Sequence, residues 1–147
     1  MSLRTVGGHE TAETIDDLKM WLQGLEGCPP VTRCIVAQCD RPMHADEPAT
    51  WFYVEADAAA GVARMRCLAC GSAHAVLDSE ERWTFPGAWS CMNCNQSIAE
   101  VAFGVNDEHG VTGWLVVALR CVECGHLAGV TDMVVDNLPT EDLLAQL

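Results

Sequence analysis

Nine cysteines stand in a chain of 147 residues, and six of them form three Cys-x-x-Cys pairs: Cys67 with Cys70, Cys91 with Cys94, and Cys121 with Cys124. Two intervening residues let a tight turn point both sulfurs at one tetrahedral metal ion. A glycine after the second cysteine suits the positive φ that such a turn needs, and Gly71 and Gly125 stand there in two of the three pairs. The chemistry implied is thiolate coordination of a metal. No nucleophile elbow, phosphate loop, dinucleotide fingerprint or His-Glu-x-x-His motif accompanies it, so no catalytic residue is assigned.

The pairs belong to a repeat. Arg66-Cys67-Leu68-Ala69-Cys70-Gly71 matches Arg120-Cys121-Val122-Glu123-Cys124-Gly125 at an offset of 54, from 67 to 121. Upstream of each copy lies a second pair: Cys34 and Cys39 before the first, Cys91 and Cys94 before the second. The expected ligand sets are therefore Cys34, Cys39, Cys67 and Cys70 for one centre, and Cys91, Cys94, Cys121 and Cys124 for the other. A crossed pairing, Cys67/Cys70 with Cys91/Cys94, requires a longer loop closure and ignores the repeat. The first set is irregular, because Cys34 and Cys39 are separated by four residues; Cys28 and His44 are the alternatives to Cys34. His74 and His126, just after their knuckles, read as hydrogen-bond partners of thiolates or as exposed residues rather than as ligands.

The elements that must carry these cysteines are hairpins. Trp51-Phe52-Tyr53-Val54-Glu55 and Val62 to Arg66 read as strands around the turn Asp57 to Gly61. Ile98 to Phe103 and Gly113 to Arg120 read as strands around Asn106-Asp107-Glu108-His109-Gly110. A short third strand follows each downstream knuckle, at 74–78 and 128–132. Two knuckles joined by a hairpin resemble the zinc-ribbon superfamily, over roughly residues 31–135. The resemblance implies a small metal-stabilised β-rich protein built of two tandem zinc ribbons, each a three-stranded β unit. The expected divisions are an N-terminal segment 1–30, ribbon one at 31–80, ribbon two at 81–136 and a C-terminal segment 137–147.

Both flanks read as helical. Ile15, Leu18, Trp21, Leu22 and Leu25 recur on one face between Thr11 and Leu25, and Gly27 with Pro29-Pro30 ends the pattern. Pro139 followed by Glu141 and Asp142 suits a short terminal helix. The five tryptophans, Trp21, Trp51, Trp83, Trp89 and Trp114, are expected in the core, since units this small have little else to bury. Asp16-Asp17, Glu80-Glu81 and Glu141-Asp142 read as solvated charge.

Two Zn²⁺ ions are the expected cofactors, because closed all-thiolate tetrahedral sites suit zinc; iron held as in rubredoxin is the rival and would colour the protein. The formal net charge is −13, and two four-thiolate centres with divalent ions would take it to about −17. This argues against a broad grip on nucleic acid; the charge reads as that of a soluble acidic protein kept apart by self-repulsion, with a basic protein partner as the sharper alternative. The longest apolar run, Trp114 to Leu119, is far short of the roughly 20 residues of a membrane span, and the N-terminus has no apolar signal region. The expectation is a cytoplasmic, non-enzymatic binding module.

Overall fold

A computed structural model describes residues 4–6, 9–11, 14–23, 31–39, 49–57, 61–77, 79, 87–91 and 94–144. The strands are β1 (Arg4–Val6), β2 (His9–Thr11), β3 (Arg33–Val36), β4 (Phe52–Asp57), β5 (Val62–Cys67), β6 (Ala73–Ala75), β7 (Gly87–Ala88), β8 (Ile98–Glu108), β9 (Val111–Cys121) and β10 (Leu127–Pro139). The helices are α1 (Ile15–Gln23) and α2 (Thr140–Leu144). Among the described residues β1 and β2 pair only with each other. The other eight strands form one antiparallel sheet in the order β10-β9-β8-β4-β5-β6, with β3 also on β8 and β7 also on β4.

The two expected three-stranded units are visible as β4-β5-β6 and β8-β9-β10, but the sheet does not stop between them. Phe52 and Tyr53 of β4 pair with Ala99 and Ile98 of β8. Moreover, each unit takes a strand from the other's expected segment. β3, from 31–80, pairs with β8 over Arg33↔Val105 to Val36↔Ala102. β7, from 81–136, pairs with β4 at Glu55↔Ala88 and Ala56↔Gly87.

The second hairpin is longer than its sequence pattern predicts. Asn106, Asp107 and Glu108 belong to β8, and only His109 and Gly110 turn the chain. Both have positive φ, 56° and 81°, the two-residue turn whose twist matches the flanking strands. The third strand is also longer than expected, running to Pro139 opposite Val111. α2 starts after that proline, where Thr140 is buried, donates its amide to Gly110 O (2.9 Å) and shares a 2.7 Å hydroxyl contact with Thr112.

The sheet is buried on both sides at β8 and β9, which explains the near-continuous apolar run of β9. On one face Val101, Phe103, Val105, Leu115, Val117 and Leu119 join Phe52, Val54 and Met65 in the main core, closed by Leu143 of α2. On the other, Ala102, Val116 and Ala118 carry Leu18 and Leu22 of α1, with Trp21, Cys34 and Trp114 partly buried beside them. α1 thus uses the face its periodicity predicts. Thr14 caps it: its hydroxyl accepts from Asp17 N (3.3 Å) and donates to the Asp17 carboxylate (3.0 Å), so Asp17 is buried rather than solvated as expected. Glu141 and Asp142 are exposed; Glu80 and Glu81 lie outside the described residues.

Tryptophan placement departs from expectation at one position. Trp89 packs against the main core and Trp114 lies beside α1, its Nε1 donating to Asp132 (2.9 Å). Trp51 is 49% exposed, because β4 alternates and the neighbouring Phe52 takes the core side. Trp83, Leu25 and the Gly27 to Pro30 stop lie outside the described residues.

Candidate metal centres

Three of the knuckles share one backbone construction. Gly71 N donates to Cys67 O (2.8 Å) and Cys67 N to Ser72 O (2.9 Å). Gly125 N donates to Cys121 O and Cys121 N to His126 O (both 2.9 Å). Asn95 N donates to Cys91 O (2.8 Å) and Cys91 N to Gln96 O (2.7 Å). In each, the residue after the second cysteine is left-handed: φ is 74° at Gly71, 80° at Gly125 and 65° at Asn95. Asparagine is among the few side chains that enter this region at low cost. The Cys91–Cys94 knuckle therefore needs no glycine, and Asn95 is a functional residue that glycine spacing alone does not reveal.

The ladder sets the two downstream knuckles in line. Cys67 pairs with Phe52, Phe52 with Ala99, and Ala99 with Cys121. Both knuckles hence leave one row of the sheet, three strands apart, about 14 Å at ordinary strand spacing. All four residues of that row are buried.

The second centre is complete. The sulfurs of Cys91, Cys94, Cys121 and Cys124 lie within 4.8 Å of one another, with Cys91–Cys124 and Cys94–Cys121 separations of 3.5 Å. Four thiolates around a zinc ion at ~2.3 Å stand about 3.8 Å apart, so the donor set fits such an ion with little adjustment. Burial pushes the Cys121 thiol up to about 12 and also raises Cys94. Desolvated sulfurs of this kind hold their negative charge only against a cation.

The first centre gathers Cys39, Cys67 and Cys70, again within 4.8 Å, with Cys39 and Cys70 3.7 Å apart. This is the repeat's pairing and not the crossed one. Cys34, expected as the fourth ligand, is not brought to it. It lies on β3 opposite Gly104, its thiol directed at Lys19 O (3.8 Å) on the α1 side of the sheet. The reason is parity: side chains alternate along a strand, and an odd offset of five separates Cys34 from Cys39. Ile35 and Cys39 share the main core, whereas Cys34 takes the other face. Its thiol is raised by burial, partly offset by Lys19. Cys28 and His44 lie outside the described residues.

Neither His74 nor His126 joins a thiolate group among the described residues. His126 is buried and serves its knuckle through its backbone carbonyl. His74 pairs with Met65 across the β5–β6 ladder, and its Nε2 is buried without a hydrogen-bond partner among the described residues. His109 is exposed at the hairpin turn.

Three arginines of the sheet are engaged by carboxylates. Arg120 meets Glu100 at 2.7 Å, Arg64 meets Glu55 at 2.8 Å, and Arg33 meets Glu141 at 2.8 Å and Asp107 at 3.5 Å. Among the described residues no helix is long and apolar enough to cross a membrane. No protein-family model matches the chain, and neither a curated protein nor a solved structure matches it.

Proposed function

We propose that the chain is a non-enzymatic zinc protein of the ribbon type, in which two structural Zn²⁺ ions brace one sheet whose surface binds another protein. The observation that carries this reading is the closed four-thiolate group of Cys91, Cys94, Cys121 and Cys124. Four thiolates leave a tetrahedral ion no position for water or substrate, so the ion serves the fold. All-sulfur tetrahedral donors favour zinc, with iron the rival.

The first centre takes its fourth ligand, on this reading, from outside the described residues. Thr32 N donates to Val105 O (2.9 Å), at the opposite end of β8 from Ala99. From Val105 back to the Ala99 row is about 20 Å, and the four residues from Thr32 to Cys28 span at most about 14 Å. Cys28 falls short. His44 lies between Cys39 and Ala49, whose mutual hydrogen bonds (2.7 and 2.9 Å) hold both ends of that stretch beside the centre. His44 is our assignment.

Native mass spectrometry of the purified chain should find two zinc ions. Cobalt substitution reads the donor set: His44→Ala should shift the ligand-field bands of one centre, and Cys28→Ser should leave them unchanged. A single tightly held metal together with turnover of a substrate would overturn the structural reading. The ion pairs of Arg33, Arg64 and Arg120, on a chain of net charge −13, support a protein partner over nucleic acid.

A further inference from the structure

The internal repeat allows one half of the molecule to be used as a reference for the other. Cys67↔Phe52 corresponds to Cys121↔Ala99, and Leu68 N donates to Trp51 O (3.0 Å) as Val122 N donates to Ile98 O (3.2 Å). One step along the ladder, Arg66 opposite Tyr53 corresponds to Arg120 opposite Glu100. In the second unit this pair is a 2.7 Å ion pair, its side chains 12% and 15% exposed. In the first unit the arginine is kept and the glutamate is replaced by tyrosine.

Arg66 has lost its cross-strand carboxylate and is exposed. One guanidinium nitrogen donates to Gly71 O (3.0 Å), and no carboxylate lies within 4.0 Å of it among the described residues. The side chains around it are apolar and open. Trp51 is 49% exposed, Tyr53 42% and Leu68 36%, and Ile98 borders Tyr53 across the β4–β8 ladder. Three of the four large apolar side chains exposed among the described residues therefore sit on this one face; the fourth, Met20, is on α1. Tryptophan, tyrosine and arginine are the residues that dominate protein-interface energetics.

We propose that this face docks a segment of a partner protein that presents an acidic side chain to Arg66, flanked by apolar side chains that cover Trp51, Tyr53 and Leu68. The second unit shows what an arginine at this position takes: a carboxylate, held there at 2.7 Å. A nucleic acid could offer a phosphate and a base to the same groups, but a polyanion meets a chain of net charge −13. The proposal rests on reading the chain as a protein-interaction module and names the chemistry of its partner.

The test is an NMR titration of the isotope-labelled, zinc-loaded full chain with three probes: acetyl-Leu-Glu-Leu-amide, its Leu-Gln-Leu counterpart, and an oligothymidylate. The glutamate peptide should shift the Trp51 indole and Arg66 Nε resonances with millimolar affinity. It should bind roughly 1.5- to fivefold more tightly than the glutamine peptide, the range of an exposed ion pair. Arg66→Gln should abolish that preference, Trp51→Ala should weaken both peptides, and Met20→Ala should do neither. Equal binding of the two peptides, still sensitive to Trp51→Ala, overturns the carboxylate assignment and leaves the interaction-module reading standing. Preference for the oligonucleotide overturns both. No shift at Trp51 with any probe overturns docking at this face.

Discussion

At the residue scale, two side chains separate coordination from packing. Cys34 is a partly buried thiol held on the α1 face, 3.8 Å from Lys19 O. Cys34→Ser should retain both metal ions, while Cys91→Ser should release one; metal analysis of the purified variants checks this. Because burial raises the Cys34 thiol, its thiolate fraction at neutral pH is below that of a free cysteine. The raised value also means that the folded state gains from the neutral thiol below its ordinary pKa and loses that gain as pH rises past it. Alkylation of the folded chain should therefore spare Cys34 at pH 7 and modify it only on unfolding, as read by peptide mass spectrometry. Asn95 makes the complementary case. Its φ of 65° is tolerated by asparagine and glycine but not by branched side chains. Asn95→Gly should leave stability nearly unchanged, whereas Asn95→Val should cost about 1–2 kcal/mol in denaturant unfolding and loosen the second centre.

At the element scale, the β8–β9 hairpin is the spine, and its two faces carry unequal loads. Gly104 of β8 sits where Val31 and Val116 close over the strand. A Cβ there would meet Val31 Cγ1 at 2.9 Å and Val116 Cγ1 at 3.0 Å. Gly104→Ala should cost about 1–3 kcal/mol by crowding the α1 side, without affecting metal content. Thermal unfolding and metal analysis on the same sample separate the two effects.

At the scale of the molecule, the two units are not independent modules strung on a linker. β3 and β7 each cross to the other unit, and the Cys67-Phe52-Ala99-Cys121 row runs through both. A fragment of residues 81–147 lacks β3, the β4 edge and α1, leaving one side of β8 unpaired and Ala102, Val116 and Ala118 uncovered. It should lack the dispersed amide spectrum of the full chain even when supplied with zinc. The full chain should instead unfold in one cooperative step when chelated; two separated transitions would contradict the shared sheet.

The cysteine spacing, the 54-residue repeat and the hairpin patterns were sufficient to place seven of the eight assigned ligands into the two groups that converge. That is because a knuckle is local: its turn, its hydrogen bonds and the reach of its sulfurs are decided within six residues. α1 and its buried face were legible for the same reason, since helical periodicity is a short-range signal. Which side of a strand meets a metal is not local. Cys34-x4-Cys39 reads in the sequence as a stretched knuckle, but the first of those cysteines is committed to a strand whose partner, β8, lies far along the chain. Strand exchange between the units and the exposure of Trp51 likewise depend on which surfaces the assembled sheet covers. Those are decided by tertiary contacts, because alternation within a strand specifies two faces without saying which one will be buried.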